Sequence, residues 1–435
     1  MNILQNLVKV VNHSKPVSLT PLQQCAQIDK DNCTGVPLAK LRTYTTTADL
    51  KRFCEMARNS RFVAIDTEFV REKTYFPKLC LLQMAVLSDN CSEEIALFDT
   101  LSPTLDLEPL REIFADSDLI KVFHAARQDM ELFLFKLGVL PKPVFDTQIA
   151  ALACGLGEQI SYEQVVSKLT GIKLGRSSQM TDWARRPLTD RQLEYAASDV
   201  DHLRHVFVEL ERRLHQTERF SWIEEETAIL SDPATYLTDP KDAWQRLKNR
   251  KGSPISLAIL REVAKVREEL AQKWDIPRRW VMSDEAVHEI AQTLPTHPEE
   301  FTRLRFIKKT RHWPQVSAAI IKAVAAGRER AKAGAIDDMI QKAPTAKQDT
   351  DLLRALLNVR ARELKISGKL IATSSDLQAI AAGDSHARPL RGWRREVFGK
   401  DALKLCQGRI ALTSSQGKTQ IISVPKRSLR GSPAR

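Results

Sequence analysis

The segment FVAIDTEF, residues 62–69, is apolar from Phe62 to Ile65 and then sets Asp66 and Glu68 two positions apart. In a β-strand, residues i and i+2 project from one face, so the two carboxylates are near neighbours. Two like charges ~4 Å apart repel by roughly 4 kcal/mol at an effective dielectric near 20, so the pair calls for a proton, a basic partner or a metal ion. A solvated strand end beside Arg71 and Lys73 fits the same local pattern.

Two further segments offer acids that a fold can bring to this strand end. KVFHAARQDMELF, 121–133, reads as a strand running into a helix, with Asp129 in the first turns. LTDRQLEYAASDVDHL, 188–203, reads as one helix with Tyr195 and Asp199 at i and i+4 on one face, and Asp201 facing elsewhere. Taken singly, Asp129 reads as well as an exposed helix residue, and Tyr195 with Asp199 as an ordinary hydrogen-bonded pair. Taken together they supply four carboxylates and one phenol with no Cys or His ligand set, and such hard oxygen donors select Mg2+ or Mn2+ over zinc. Two such ions held roughly 4 Å apart form a clamp for in-line phosphoryl displacement.

The elements that must position these groups follow from periodicity. Residues 61–69, 79–86, 94–99 and 119–124 are predicted strands, and 104–115, 126–138, 147–153 and 161–170 predicted helices. Strands in succession followed by alternation with helices predict an α/β fold, a mixed sheet flanked by helices, with ligands at the strand ends. Beyond about residue 215 the strand signals stop and helix follows helix, broken by SDPATYLTDP (231–240) and KGSP (251–254). An internal echo runs through this half. LREVAKVRE (260–268) matches LRALLNVRA (353–361), and IPRRWVMSDEAVHEIA (276–291) matches ISGKLIATSSDLQAIA (366–381), which predicts two related small all-α units.

The 435 residues carry a net charge of +12. Residues 342–435 hold 19 Lys and Arg against 7 Asp and Glu, while the rest is balanced at 47 of each sign. That asymmetry favours a polyanionic partner, nucleic acid before an anionic membrane. No run of eighteen apolar residues and no signal-peptide core occurs, and the seven scattered cysteines form no CxxC pair. A cytoplasmic protein with reduced thiols, Cys80 and Cys154 among its core residues, is the expectation.

DTEF at 66–69, HAARQD at 124–129 and YAASD at 195–199 resemble, in order and spacing, the three boxes of the DEDD exonuclease superfamily in its tyrosine-bearing subclass. QMTDWARRPLTDRQLEYAASDV is similar to ribonuclease D in particular, the two helical repeats resemble the helicase-and-ribonuclease-D C-terminal (HRDC) domain, and GWRREVFGKDAL (392–403) resembles the end of a bacterial ribonuclease D. The likeness spans about 45–410. It implies a ribonuclease H-like mixed sheet followed by two HRDC-like domains: an N-terminal extension 1–40, an exonuclease domain 41–230, a linker 231–253, helical domains 254–332 and 349–410 joined by 333–348, and a basic tail 411–435. It implies further that Asp66, Glu68, Asp129 and Asp199 coordinate two divalent cations, Mg2+ or Mn2+, with Tyr195 orienting the attacking water.

The expected activity is a metal-dependent 3'-5' exoribonuclease that releases nucleoside 5'-monophosphates and matures the 3' ends of tRNA precursors or other small structured RNAs. A DNA exonuclease on the same fold and a non-catalytic RNA-binding protein are the competing readings. Candidate substrate contacts are Thr67, with Glu68, at the terminal sugar, His124 at a phosphate, and Gln179, Trp183, Arg185 and Arg186 closing over the substrate. Arg278, Arg279, Arg391, Arg394 and Arg395 are candidates for tracking RNA phosphates.

Overall fold

The structure, a computed structural model, describes residues 41, 43–87, 93–174, 181–248, 252–307, 312–334, 347–415 and 417–424. The extension 1–40, Gln179, most of the 333–348 linker and the last residues of the basic tail lie outside the described residues.

Six strands form one mixed sheet in the order β1-β4-β3-β2-β5-β6: β1 (Thr43–Tyr44), β2 (Phe62–Val70), β3 (Lys78–Leu87), β4 (Glu93–Asp99), β5 (Ile120–Phe123) and β6 (Val144–Asp146). β2, β3 and β4 are an antiparallel meander, and β1, β5 and β6 add to it in parallel. The near-continuous apolar run of β3 has the composition of a strand covered on both faces. The covering helices are α1 (Thr47–Ala57), α2 (Leu110–Ala115), α3 (Arg127–Leu137), α4 (Thr147–Ala153), α5 (Tyr162–Thr170), α6 (Asp190–Gln216) and α7 (Phe220–Ala228). α6 starts where the sequence writes a capping box, with Thr189 and Gln192 satisfying each other's backbone N–H groups.

The predicted α/β order holds, with three local differences. The helix expected over 104–115 begins at Leu110, because Thr104 is drawn into bonds with Thr45 and Thr47, and Pro109 supplies the helix entry. β1 and β6, of two and three residues, are too short to show a period. Residues 410–423, which fall almost wholly in the stretch read as a basic tail, form the hairpin β7 (Ile410–Ser415) and β8 (Lys418–Ser423), turned at Gly417 with φ 74°. Leu412 and Ile421 lie half-buried against the core there.

The helical half has two units, each a long helix, a one-turn helix and a short capped helix in the same order. The first comprises α8 (Pro254–Trp274), α9 (Arg278–Val281), α10 (Asp284–Thr293) and α11 (Trp313–Lys332). The second comprises α12 (Lys347–Leu364), α13 (Gly368–Ile371), α14 (Ser374–Ala381), α15 (Gly392–Arg394) and α16 (Lys400–Cys406), with a π turn over Arg395–Gly399. The stretch read as a linker is packed rather than loose: Tyr236 enters the sheet domain's core, and Trp244 and Leu247 enter that of the first helical unit.

The two units relate differently to the sheet domain. The first has its own core, joined to the sheet domain through Tyr75 and Phe76. The second shares one continuous apolar cluster with it, from Phe62 and Phe207 through Leu356 and Phe398. Trp393 stacks on Trp222 of α7 at 4.2 Å, its backbone N–H donates to Glu225 at 3.1 Å and its indole N–H to Glu226 at 3.0 Å, and Arg394 pairs with Glu226. Gly392 is required at this joint: its φ is 52°, and a Cβ there would fall 1.8 Å from the Glu225 carboxylate. Trp393→Ala is therefore expected to lower stability by roughly 3 kcal/mol, measured by denaturant unfolding; an unchanged midpoint would mean that the two parts stand independently.

Candidate active site

The carboxylates converge because three chain segments end at one place. β2 carries Asp66 at its middle and Glu68 two residues on, just before the pairing with β3 slips between Glu68 and Phe69; such an irregularity bends a strand and re-aims its side chains. α6 brings Asp199 alongside, so that single carboxylate oxygens of Asp66, Glu68 and Asp199 all lie within 4.8 Å of one another. α3 carries Asp129, whose carboxylate accepts a hydrogen bond from the Thr67 hydroxyl at 2.5 Å.

The turn that delivers Asp129 depends on a residue that the sequence did not single out. Ala125, between β5 and α3, has φ 57°, a left-handed conformation costing about 1 kcal/mol for a residue with a Cβ. Asp146, at the end of β6, holds it by accepting from the N–H groups of Ala125 (3.1 Å) and Ala126 (2.9 Å), while also capping α4. The cap that Asp146 gives α4 is a local pattern, but nothing local marks its hold on Ala125 and Ala126, which lie about twenty residues earlier in the chain.

These groups line a cleft of about 1250 Å³ together with Lys73, Lys78, His124, Gln148, Tyr162, Glu163, Trp183, Arg191 and Glu194. Burial pushes every one of the four acids upward, and like charges add to it at Glu68, Asp129 and Asp199. Asp66 rises to about 6, chiefly by burial. Glu68 rises to about 10, by burial and then the charges of Asp66, Asp199 and Asp129. Asp129 and Asp199 stand well above the usual carboxylate range for the same reasons. Four acids that repel into protonation, offering oxygen donors only, form a set whose charge a divalent cation neutralises, and the donors suit Mg2+ or Mn2+.

Tyr195 donates to Asp199, and burial with the surrounding acids holds its phenol above its ordinary range. Its ring lies 6.1 Å from that of Trp183, which is buried within the adjoining core while lining the cleft. Tyr162, passed over in the sequence, donates its hydroxyl to the backbone carbonyl of Asp199 and so fixes that turn of α6. His124 Nδ1 lies 2.9 Å from the Thr147 hydroxyl, while its buried Nε2 has no partner among the described residues.

The structure sets other sequence candidates aside. Arg186 does not line the cleft: its guanidinium grips Asp99 in a fork (2.7 Å twice) and donates to the carbonyls of Cys80, Trp183 and Arg185, leaving nothing for substrate. Arg394 is spent on Glu226 and the Leu370 carbonyl, and Arg278 commits its Nε and one terminal nitrogen to Glu268 and Tyr75, so both are held in place by the protein itself. Thr67 has committed its proton to Asp129 and can only accept. Asp201 pairs with Arg204 behind the site.

Comparison with known proteins agrees with this geometry. A family model described as 3'-5' exonuclease matches residues 41–215, and one described as HRDC domain matches 256–312. A ribonuclease D of Jannaschia sp. is 41% identical over 387 residues, covering 88% of this chain and 99% of the relative. The chain belongs to the ribonuclease D family. A ribonuclease D of Nitrobacter hamburgensis is likewise 41% identical, over 86% of this chain and 97% of the relative. Among solved structures, Escherichia coli RNase D, described as an exoribonuclease involved in structured RNA processing, superimposes with a TM-score of 0.72 at 27% identity, covering 85% of this chain and 99% of that one. The catalytic core of RRP6 from Trypanosoma brucei shares the fold at a TM-score of 0.52 and 23% identity. As a member of the ribonuclease D family this chain is a 3'-5' exoribonuclease, and no helix among its described residues is long and apolar enough to cross a membrane.

Proposed function

We propose that the cleft hydrolyses the last phosphodiester of a single-stranded RNA 3' end and releases a nucleoside 5'-monophosphate, with two Mg2+ or Mn2+ ions held by Asp66, Glu68, Asp129 and Asp199. The observation that carries this reading is the meeting of Asp66, Glu68 and Asp199 within 4.8 Å beside the Tyr195 hydroxyl. Bound there, the ions would activate a water and stabilise the leaving oxygen.

The chain's own groups do the positioning. Tyr195 stays protonated at neutral pH and donates a hydrogen bond to the Asp199 carboxylate, so its oxygen is left to accept a hydrogen bond from the attacking water and aim it. It therefore orients rather than abstracts. Thr67 holds Asp129 in place, and the lone pairs of Thr67 with the Glu68 carboxylate face the terminal ribose, whose 2'-OH separates RNA from DNA. His124 donates Nδ1–H to the Thr147 hydroxyl, whose own O–H donates to the Phe123 carbonyl, and burial keeps the ring neutral, so Nε2 can meet a phosphate oxygen only once it has taken up a proton; Lys73 and Lys78 bring positive charge to the same cleft. Trp183 backs the Tyr195 ring, and Gln179, outside the described residues, stays a candidate for closing over the substrate.

Tyr195→Phe keeps the ring against Trp183 and removes only the aiming oxygen. It is expected to lower kcat about 10²-fold with KM little changed; single-turnover kinetics on a short RNA would read it, and an unchanged kcat would take Tyr195 out of the mechanism.

The substrate is proposed to be tRNA precursors or other small structured RNAs with 3' extensions, bound by the helical units, in the cytoplasm. The basic C-terminal end, the free thiols of Cys54, Cys80, Cys154 and Cys406, and the structured-RNA role stated for the E. coli relative support it. The test is a 5'-labelled tRNA with a short 3' extension, and a DNA of matching sequence, each with Mg2+, Mn2+ or EDTA. A metal-dependent ladder shortening the RNA alone from its 3' end is expected. Shortening of the DNA alone would assign a DNA exonuclease, and tight binding without release would assign a binding protein.

A further inference from the structure

We infer that Arg278, in the first helical unit, is a positioning residue for the cleft: through Tyr75 it fixes residues 71–78, the segment that walls one side of the active site. The inference rests on the reading of the cleft as the site of RNA hydrolysis.

Residues 71–77 connect β2, which carries Asp66 and Glu68, to Lys78, the first residue of β3. Arg71, Glu72, Lys73, Thr74 and Lys78 line the cleft, while Tyr75 is buried in the core of the first helical unit. The segment is pinned at one end to α3, the helix of Asp129, by the Arg71–Glu131 fork (2.7 and 2.9 Å) and by the Phe76 ring against Phe135 at 4.7 Å.

The backbone N–H groups of its middle and the Tyr75 hydroxyl are held by the helical unit. The Asp275 carboxylate accepts from the N–H groups of Tyr75 (3.0 Å) and Phe76 (2.9 Å). The Tyr75 hydroxyl donates to Glu268 and accepts from Gln272 (3.1 Å) and Arg278 (2.9 Å). Arg278 closes the arrangement by pairing with both oxygens of Glu268 and lying 4.6 Å over the Tyr75 ring. Glu268 is 1% exposed, so removing Arg278 leaves an uncompensated buried charge under the tyrosine. The wall that presents Lys73 to the substrate then loses the clamp on Tyr75 and keeps only its holds at Asp275, Glu131 and Phe135, while the acids on β2, α3 and α6 keep theirs.

The test uses the full chain on a 5'-labelled single-stranded RNA with Mg2+. Arg278→Ala is expected to raise KM about tenfold and leave kcat within about twofold, since misplacing a wall by an ångström or so acts on binding geometry. Amide exchange at Tyr75 and Phe76 should accelerate in parallel. Tyr75→Phe, which keeps the ring and loses the hydroxyl, should raise KM less, and it decides the matter if Arg278→Ala does not fold. The salt dependence of binding should keep its slope, whereas a lost phosphate contact lowers it by about 0.7–1; the exposed neighbour Arg279→Ala is the control. Faster exchange with an unchanged KM, or a reduced salt slope in Arg278→Ala, overturns the proposal. A wild-type chain that releases no nucleotide fails the reading of the cleft instead, with the exchange data still reporting on the anchor.

Discussion

Asp199→Asn is expected to slow nucleotide release about 10³-fold and at the same time to make the metal-free chain more stable. The first effect follows because a ligand oxygen at the centre of the acidic cluster is replaced by a neutral amide, and charge stabilisation by a bound cation contributes several kcal/mol, each 1.36 kcal/mol being tenfold. The second follows from the burial of that carboxylate and then from repulsion: Asp199 is taken out of water against Asp66, and Glu68 feels both. An amide of the same shape relieves that repulsion and can still accept from Tyr195. An ordinary ion pair or a buried structural acid behaves in the opposite way, losing stability when its charge is removed. The measurements are single-turnover release from a 3'-extended RNA and thermal unfolding in EDTA. A variant that keeps its rate, or that fails to fold, removes Asp199 from the metal-binding set; RNA binding, carried elsewhere, should survive.

Metal and pH are expected to act against each other on stability. Asp66 goes from an ordinary 3.8 to about 6 in the fold, and Glu68 from 4.5 to about 10. A raised folded value means that the native state holds the proton more tightly than the unfolded chain. The associated stability is therefore complete below the unfolded value and is lost as pH rises through the folded one. For Asp66 alone the loss is about 3 kcal/mol across pH 4 to 6, and Glu68 continues it towards pH 10. In EDTA the melting temperature should thus fall steadily from pH 5 to 8. A saturating divalent cation competes with those protons and stabilises the native state by about 2.7 kcal/mol at a hundred times its Kd, so its effect should be largest at pH 8 and small at pH 5. Coincident melting curves with and without the ion at pH 8 would mean that the cluster holds no cation.

How much of this was legible in the sequence depends on how far apart the interacting residues lie. Asp66 with Glu68, and Tyr195 with Asp199, were visible because period-2 and period-3.6 geometry places them on one face whatever the rest of the chain does. The long strands and the capped helix α6 were visible for the same local reason. Arg186 illustrates the limit: its neighbours Trp183 and Arg185 made it look like part of a basic, aromatic lid, yet it belongs to Asp99, 87 positions away, and the fork uses up its donors.

The sequence by itself thus determined the chemistry available here: the acids, the phenol, the order of strands and helices, and the repeat that makes two helical units. Only the tertiary structure decided how those groups are held. Asp146 locks the Ala125 turn behind Asp129, the Trp222–Trp393 stack fuses the second helical unit to the sheet domain, and Tyr75, Glu268 and Arg278 tie the cleft wall to the first. The physical reason is the same in each case. Periodicity reports which face of an element a residue occupies, but a long-range hydrogen bond or ion pair is chosen by which elements the burial of apolar surface has already pressed together, and nothing in either local segment records its partner.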